Sequence, residues 1–146
     1  PIGSEVELSI ERDAARWFGR ADRIEDRDGS VAIVDYKTGA VTTMEDAARS
    51  LQLGFYVMAA RENPEVASRG VVSAAEMWFP MHALKRSIAT REFNIAHLEG
   101  IEDRMEAVAR GIGDEDWTPT PGAACERCSV RLACPAVPDG KEAFVS

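Results

Sequence analysis

The chain has 146 residues, of which 45% are hydrophobic and 29% charged, and its formal net charge is −8. This composition is typical of one globular domain and excludes a disordered chain, and the acidic balance argues against a generic nucleic-acid coat protein. No apolar run approaches the roughly 20 residues of a membrane span, so we expect no membrane contact. The first ten residues lack the features of a signal peptide, which favours a cytoplasmic location. Because the sequence starts at Pro1 rather than Met, we expect a piece of a longer polypeptide.

Alternating apolar and polar residues predict three strands in the first quarter of the chain. They cover residues 5–11, 16–27 and 31–37, and the dipeptide Asp28-Gly29 predicts a hairpin turn between the second and the third. The period then changes, because Thr42 and Glu45 form a capping box. Helix-forming residues continue to Arg61, and Asn63-Pro64 stops them.

The second half of the chain predicts two more strands, at residues 70–80 and 86–93, and a second helix capped by Asn94. The apolar positions of that helix fall at spacings of three and four, namely Leu98, Ile101, Met105, Val108 and Ile112. The predicted fold is therefore a small α/β or α+β sheet with helices packed against it. Residues 1–116 are expected to form the core, and residues 117–146 an irregular, Cys-containing arm of the same domain.

Two aspartates are predicted to meet at one end of the hairpin. Asp22 lies thirteen residues before Asp35, with the turn about midway between them. Carboxylates held close together take up a proton or bind a cation, and Mg²⁺ prefers oxygen ligands such as Asp22, Asp35 and the carbonyl of Tyr36. Lys37 shares a strand face with Asp35, where it can orient water or offset charge on a phosphoryl group. By themselves, however, Asp35 and Lys37 are more typical of a surface ion pair, and only the fuller pattern of motifs favours a site.

Three ordered motifs, Gly19–Asp22, Asp35–Gly39 and the pair Gln52 and Tyr56, resemble those of the RecB-like branch of the PD-(D/E)XK nuclease superfamily. The resemblance covers roughly residues 5–135 and is to the C-terminal nuclease domain of AddB- and AdnAB-type helicase–nucleases. It implies a restriction-endonuclease-like core, with a mixed central sheet of about five strands flanked by helices. It also implies that this core hydrolyses DNA phosphodiester bonds with Mg²⁺ or Mn²⁺. It also implies a role in DNA break repair and recombination, beside a helicase domain or partner subunit.

The resemblance assigns a role to each motif residue. Asp22 and Asp35 are implied to ligate the metal, and Lys37 to activate or position water. Gln52 and Tyr56 are four residues apart, so they share one face of the first helix. In the family, that face points into the site and positions the scissile strand.

Three cysteines, Cys125, Cys128 and Cys134, lie within ten residues, which favours a metal over disulfides in an apparently intracellular chain. In the family that the motifs resemble, a similar triplet holds a [4Fe–4S] cluster with a fourth cysteine far upstream. This chain has no fourth cysteine, so we expect the cluster in the parent protein and an absent or incomplete one here. A Cys₃His zinc site that includes His82 or His97 is the other chemistry.

The chain departs from the family pattern because no helical histidine precedes the first strand. Glu5 on the first strand is a weak substitute for that histidine, or it corresponds to the strand glutamate of the family. It is at least as readily explained as a solvent-facing residue. Glu7 faces the same side of the strand. Whether the isolated chain has the activity of its parent therefore stays open at this point. Residues 80–91 form a strip that contains three basic residues, Lys85, Arg86 and Arg91, and no acidic residue. Such a strip can bind phosphate, but three basic residues are also common on a protein surface that binds nothing.

Two other classes of function remain open at this point. One is a nuclease-inactive DNA-binding or scaffolding domain, whose usual mark is loss of a motif Asp or Lys. Asp22, Asp35 and Lys37 are all present, which favours the enzyme. The other is a zinc-stabilised interaction module, with the cysteines at its centre and the acidic segment at residues 99–116 as its docking face.

Overall fold

The structure is a computed structural model that describes residues 2–12, 15–84 and 87–136. The chain divides into two compact units, Pro1–Ala109 and Arg110–Ser146. The first contains the whole sheet, and the second contains the end of the last helix and the cysteines. None of the helices described has the length and hydropathy that crossing a membrane requires.

A five-stranded sheet forms the centre of the first unit. Its strands are β1 (Gly3–Arg12), β2 (Ala15–Arg27), β3 (Ser30–Tyr36), β4 (Val71–Leu84) and β5 (Ser87–Glu92). They lie in sequence order, and only β3 and β4 pair in parallel, while the other neighbours are antiparallel. The predicted mixed five-stranded sheet flanked by helices is therefore confirmed.

The hairpin between β2 and β3 turns at the predicted dipeptide. Asp28 has φ 53° and Gly29 has φ 86°, which is the pattern of a type I′ turn. The side chain of Asp26 accepts a hydrogen bond from the Gly29 N–H at 3.1 Å. The turn fixes the register, with Arg27 opposite Ser30 and each later pair one step further along.

The predicted first helix is interrupted, and its start is one residue later than expected. The helices are α1 (Met44–Ala48), α2 (Leu51–Glu62), α3 (Pro64–Ala67) and α4 (Leu98–Gly113). Thr43, not Thr42, caps α1 by accepting from the Asp46 N–H at 3.0 Å. Ser50 begins a new helix by accepting from the Leu53 N–H at 3.3 Å. A hydroxyl that bonds to the backbone favours a helix start over a helix interior, which explains the break.

The two asparagines act at helix ends, with one difference from the prediction. Asn63 ends α2 and caps α3, as the stop signal predicted. Asn94 caps a short 3₁₀ turn, Ile95–His97, that precedes α4 rather than the helix itself. On α4 the predicted apolar face is only partly buried, since Ile101 is 1% exposed whereas Val108 is 43% exposed.

Helix α2 is the most buried helix described. Its eight residues from Leu53 to Ala60 are all buried. One side contacts the sheet, and on the other side Gly54 allows a close approach by Ile101 of α4, where an added Cβ would lie 2.6 Å from the isoleucine side chain. Packing on both sides fixes the position of α2, and therefore of Gln52 in its first turn.

Candidate active site

The middle of β2 and the end of β3 bring the two predicted aspartates together. Arg23 pairs with Val34, so the next step of the ladder places Asp22 across from Asp35. Asp22 Oδ2 accepts a hydrogen bond from the Tyr36 backbone N–H at 2.7 Å. The carboxylate of Asp22 is thereby held at the point where β3 ends.

Asp35 is a buried carboxylate, only 3% exposed. Its Oδ2 lies 2.6 Å from Lys37 Nζ, yet this buried oxygen has no aligned hydrogen-bond partner among the described residues. Burial raises the pKa of the Asp35 carboxyl, the ammonium of Lys37 opposes this rise, and the charge of Asp22 adds to it. Asp35 thus combines a strong nearby cation with an oxygen atom that remains under-coordinated.

The amide of Gln52 bridges this acid and this lysine. Its Nε2 donates to Asp35 Oδ1 at 3.2 Å, and its Oε1 accepts from Lys37 Nζ at 2.7 Å. In the opposite orientation, the amide nitrogen would face the Lys37 ammonium and the amide oxygen would face the Asp35 carboxylate. Neither pair could form a hydrogen bond, so the charges of the two partners determine the orientation of the amide. Gln52 therefore sets the relative positions of Asp35 and Lys37.

Tyr56 lies one helical turn after Gln52 and is 5% exposed. Its hydroxyl accepts from Gln52 Nε2 at 3.2 Å and donates to the carbonyl of Arg20 at 2.8 Å. Gly19 allows this approach, because an added Cβ there would lie 2.9 Å from the Phe55 ring and 3.1 Å from the Tyr56 ring. The first motif therefore needs glycine for space against α2.

A charged and aromatic network that the sequence analysis did not identify connects β2, β3 and β4. Glu76, 8% exposed on β4, accepts from Arg27 at 3.0 Å and from the Trp78 indole N–H at 2.7 Å. Arg27 holds the pKa of Glu76 below its usual value. The Trp78 carbonyl accepts from the Lys37 N–H at 2.8 Å, and its ring meets Tyr36 edge-on at 6.0 Å. The feature of the sequence that could have revealed this network is a glutamate within the otherwise apolar fourth strand.

Several other predicted residues have different partners. The exposed carboxylate of Glu5 lies 2.7 Å from Arg20 Nε. His97 Nδ1 hydrogen-bonds the Ala48 carbonyl at 2.8 Å. Glu7 is exposed opposite Arg20 on β2, and His82 is exposed on β4. Arg91 donates to the Thr42 carbonyl. Lys85 and Arg86 lie outside the described residues.

The three cysteines are free and lie around two short 3₁₀ turns, Ala123–Arg127 and Arg131–Ala133. The Gly122 N–H donates to Cys125 Sγ at 3.3 Å. Over residues 2–12, 15–84 and 87–136, no group of three or more His, Cys, Asp or Glu side chains is arranged to hold a metal ion. The role of Cys125, Cys128 and Cys134 as cluster ligands stays a prediction.

A comparison with protein-family models matches residues 1–135 to the PD-(D/E)XK nuclease superfamily. The chain belongs to the PD-(D/E)XK nuclease superfamily. Comparisons with curated proteins and with solved structures give no match. The mixed sheet and its helices are consistent with the restriction-endonuclease-like fold of PD-(D/E)XK proteins.

Membership in the PD-(D/E)XK superfamily supports a nuclease, and such nucleases generally use divalent metals such as Mg²⁺. The donor set fits that requirement. Asp35 Oδ2 is buried without an aligned hydrogen-bond partner among the described residues, and the carboxylate of Asp22 is close enough to affect its pKa. Carboxylate oxygens are the ligands that a hard divalent cation prefers.

Proposed function

We propose that this chain is a metal-dependent deoxyribonuclease domain of the RecB-like branch, which hydrolyses DNA phosphodiester bonds with Mg²⁺ or Mn²⁺. The observation that carries the proposal is the contact of Asp35 with both Lys37 and Gln52, next to Asp22. Three motifs that are distant in the sequence supply these side chains, in the order and spacing of that branch.

The residues divide the work by their chemistry. The carboxylates of Asp22 and Asp35 and the carbonyl of Tyr36 would hold the cation, which when bound acts as a Lewis acid towards the phosphate. Lys37, whose side chain is one-third exposed at 33%, reaches both the buried acid and the solvent. Its ammonium orients the attacking water and offsets the negative charge that develops on the phosphoryl oxygens.

The wider context follows from the same branch. We place the chain in the C-terminal part of a helicase–nuclease used in DNA break repair, with residues 1–116 as the nuclease core and residues 117–146 as its arm. The arm would supply Cys125, Cys128 and Cys134 to a [4Fe–4S] cluster completed by a cysteine elsewhere in the parent. Visible absorbance and metal analysis of the parent protein test this, and bound zinc without iron would instead favour the zinc-stabilised interaction module.

The nuclease proposal is tested by incubating linear single- and double-stranded DNA with the chain, in Mg²⁺, in Mn²⁺ and in EDTA. Cleavage is expected only with a divalent cation, and Asp35→Asn should abolish it. Asp103→Asn, which changes an exposed acid on α4, is the matched control and should cleave normally. DNA binding without metal-dependent cleavage, in both the chain and its parent, would support the nuclease-inactive scaffolding role instead.

A further inference from the structure

We propose that Gln52 and Tyr56 are positioning residues that act on Asp35 and Lys37 and do not bind the DNA strand. This inference rests on the proposed nuclease function and departs from the role that the RecB-like resemblance implies for the pair. Two independent features carry it. The hydrogen-bond donors of both side chains are already used within the protein, and the pair connects β2 and β3, the strands that carry Asp22 and Asp35.

A phosphate oxygen only accepts hydrogen bonds, so a side chain that binds the phosphates of a DNA strand must offer a free donor. Tyr56 has one donor, its hydroxyl proton, and the Arg20 carbonyl accepts it at 2.8 Å. The Gln52 amide has two donors, one directed at Asp35 Oδ1 and one at the Tyr56 hydroxyl, each at 3.2 Å. Every hydrogen-bond donor of these two side chains is therefore already paired with an acceptor within the protein.

Burial supports the same conclusion for Tyr56. The tyrosine is 5% exposed and its ring contacts Phe55, with ring centroids 5.4 Å apart. A DNA strand would reach its hydroxyl only after the residue left the core and gave up the bond to Arg20. The stabilisation lost in that movement would oppose binding.

The contacts of Gln52 fix the orientation of the Asp35 carboxylate. Nε2 donates to Oδ1 at 3.2 Å, whereas Oδ2 lies 2.6 Å from Lys37 Nζ. Oε1 of Gln52 accepts from the same Nζ at 2.7 Å, so it keeps hold of the ammonium when a cation competes for Oδ2. Gln52 thus holds the carboxylate and the lysine in one geometry.

Tyr56 anchors this arrangement to the neighbouring strand. Its partner, Arg20, lies two residues before Asp22 on β2, whereas Gln52 contacts Asp35 on β3. The series Arg20 carbonyl, Tyr56, Gln52 and Asp35 therefore connects the two strands that supply the metal ligands. A shift of Tyr56 would move Gln52, and with it the oxygen that faces the cation.

The test uses Gln52→Met, Tyr56→Phe and the double variant, with three measurements: Mn²⁺ affinity by calorimetry, DNA affinity in EDTA, and single-turnover cleavage at saturating DNA. Loss of a group that orients a metal ligand typically weakens metal affinity or activity by about 10–100-fold. We expect such a loss in Gln52→Met, a smaller one in Tyr56→Phe, and unchanged DNA affinity in both. The double variant should lose no more than Gln52→Met, because Tyr56 acts through Gln52.

Phe55→Leu is the matched control, since Phe55 is similarly buried on α2 but has no hydroxyl. It should lower thermal stability without the loss of Mn²⁺ affinity. Weakened DNA affinity with unchanged Mn²⁺ affinity and unchanged cleavage at saturating DNA would overturn the inference, as would strictly additive losses in the double variant.

The two proposals fail in different ways. A wild-type chain that does not cleave DNA, but binds Mn²⁺ with an affinity that Gln52→Met weakens, overturns the nuclease proposal and supports the positioning role. A wild-type chain that binds no Mn²⁺ and cleaves no DNA overturns both. Normal cleavage by Gln52→Met, with normal Mn²⁺ affinity, overturns only the positioning role.

Discussion

The carboxylate of Asp22 accepts a hydrogen bond from the backbone N–H of Tyr36 at 2.7 Å. One oxygen of the acid thus fixes the end of β3, and the charge of the same group raises the pKa of Asp35. Asp22 therefore has a structural role and a proposed metal-binding role, and substitutions of different shape separate them.

Asp22→Asn should keep the fold and lose metal affinity, because the amide oxygen still accepts from Tyr36 but carries no charge. Asp22→Ala should lose both, with about 1 kcal/mol lower free energy of unfolding for the missing hydrogen bond. Urea unfolding and Mn²⁺ calorimetry measure the two effects. Mn²⁺ binding by Asp22→Asn at wild-type affinity would remove Asp22 from the metal site.

Lys37→Ala should impair the chemical step far more than DNA binding. Removal of one preorganised electrostatic contact typically lowers the rate by about 10²–10³-fold. The comparison is single-turnover cleavage beside DNA titrations at two salt concentrations, with Lys85→Ala as a control that should cleave normally at saturating DNA. If Lys37→Ala keeps its rate and loses only affinity and salt dependence, the lysine is a phosphate contact.

Gly19→Ala should displace the rings of Phe55 and Tyr56, since the new Cβ would lie 2.9 and 3.1 Å from them. We expect lower stability, by about 1–3 kcal/mol for overpacking, together with weaker Mn²⁺ binding. Gly39→Ala is the matched control, because nothing lies within 4 Å of a Cβ added at that motif glycine. Equal effects of the two substitutions would show that space against α2 is not what Gly19 provides.

Glu76→Gln should destabilise the fold in a pH-dependent way. Arg27 lowers the pKa of Glu76 from 4.5, so the stabilisation is complete above about pH 4.5 and is lost as the pH falls through the lowered pKa. At neutral pH we expect a loss of about 1–3 kcal/mol, and the difference from the wild type should shrink on acidification. Glu11→Gln, an exposed position on β1, should change stability by no more than about 0.5 kcal/mol. A loss that stayed constant at low pH would exclude the ion pair as its cause.

Local chemistry made the hairpin and the helix stop predictable. Asp28-Gly29 tolerates positive φ at both positions, and that turn alone sets the register that places Asp22 across from Asp35. Asn63-Pro64 ends α2 for a similarly local reason, because proline lacks the backbone N–H that would continue the helix. The start of α1 and the break at Ser50 were mispredicted, because several adjacent hydroxyl residues compete to cap a helix and small differences in packing select among them.

The sequence by itself determined the strands and the set of side chains at the end of the hairpin, since turn type and apolar period act over a few residues. Only the tertiary structure decided which atoms of that set meet. The Tyr56 hydroxyl and the Arg20 carbonyl are 36 residues apart, and Arg27 and Glu76 are 49 residues apart. Their contacts depend on how α2 and the sheet pack, because a hydrogen bond forms only when packing brings donor and acceptor within about 3 Å of each other.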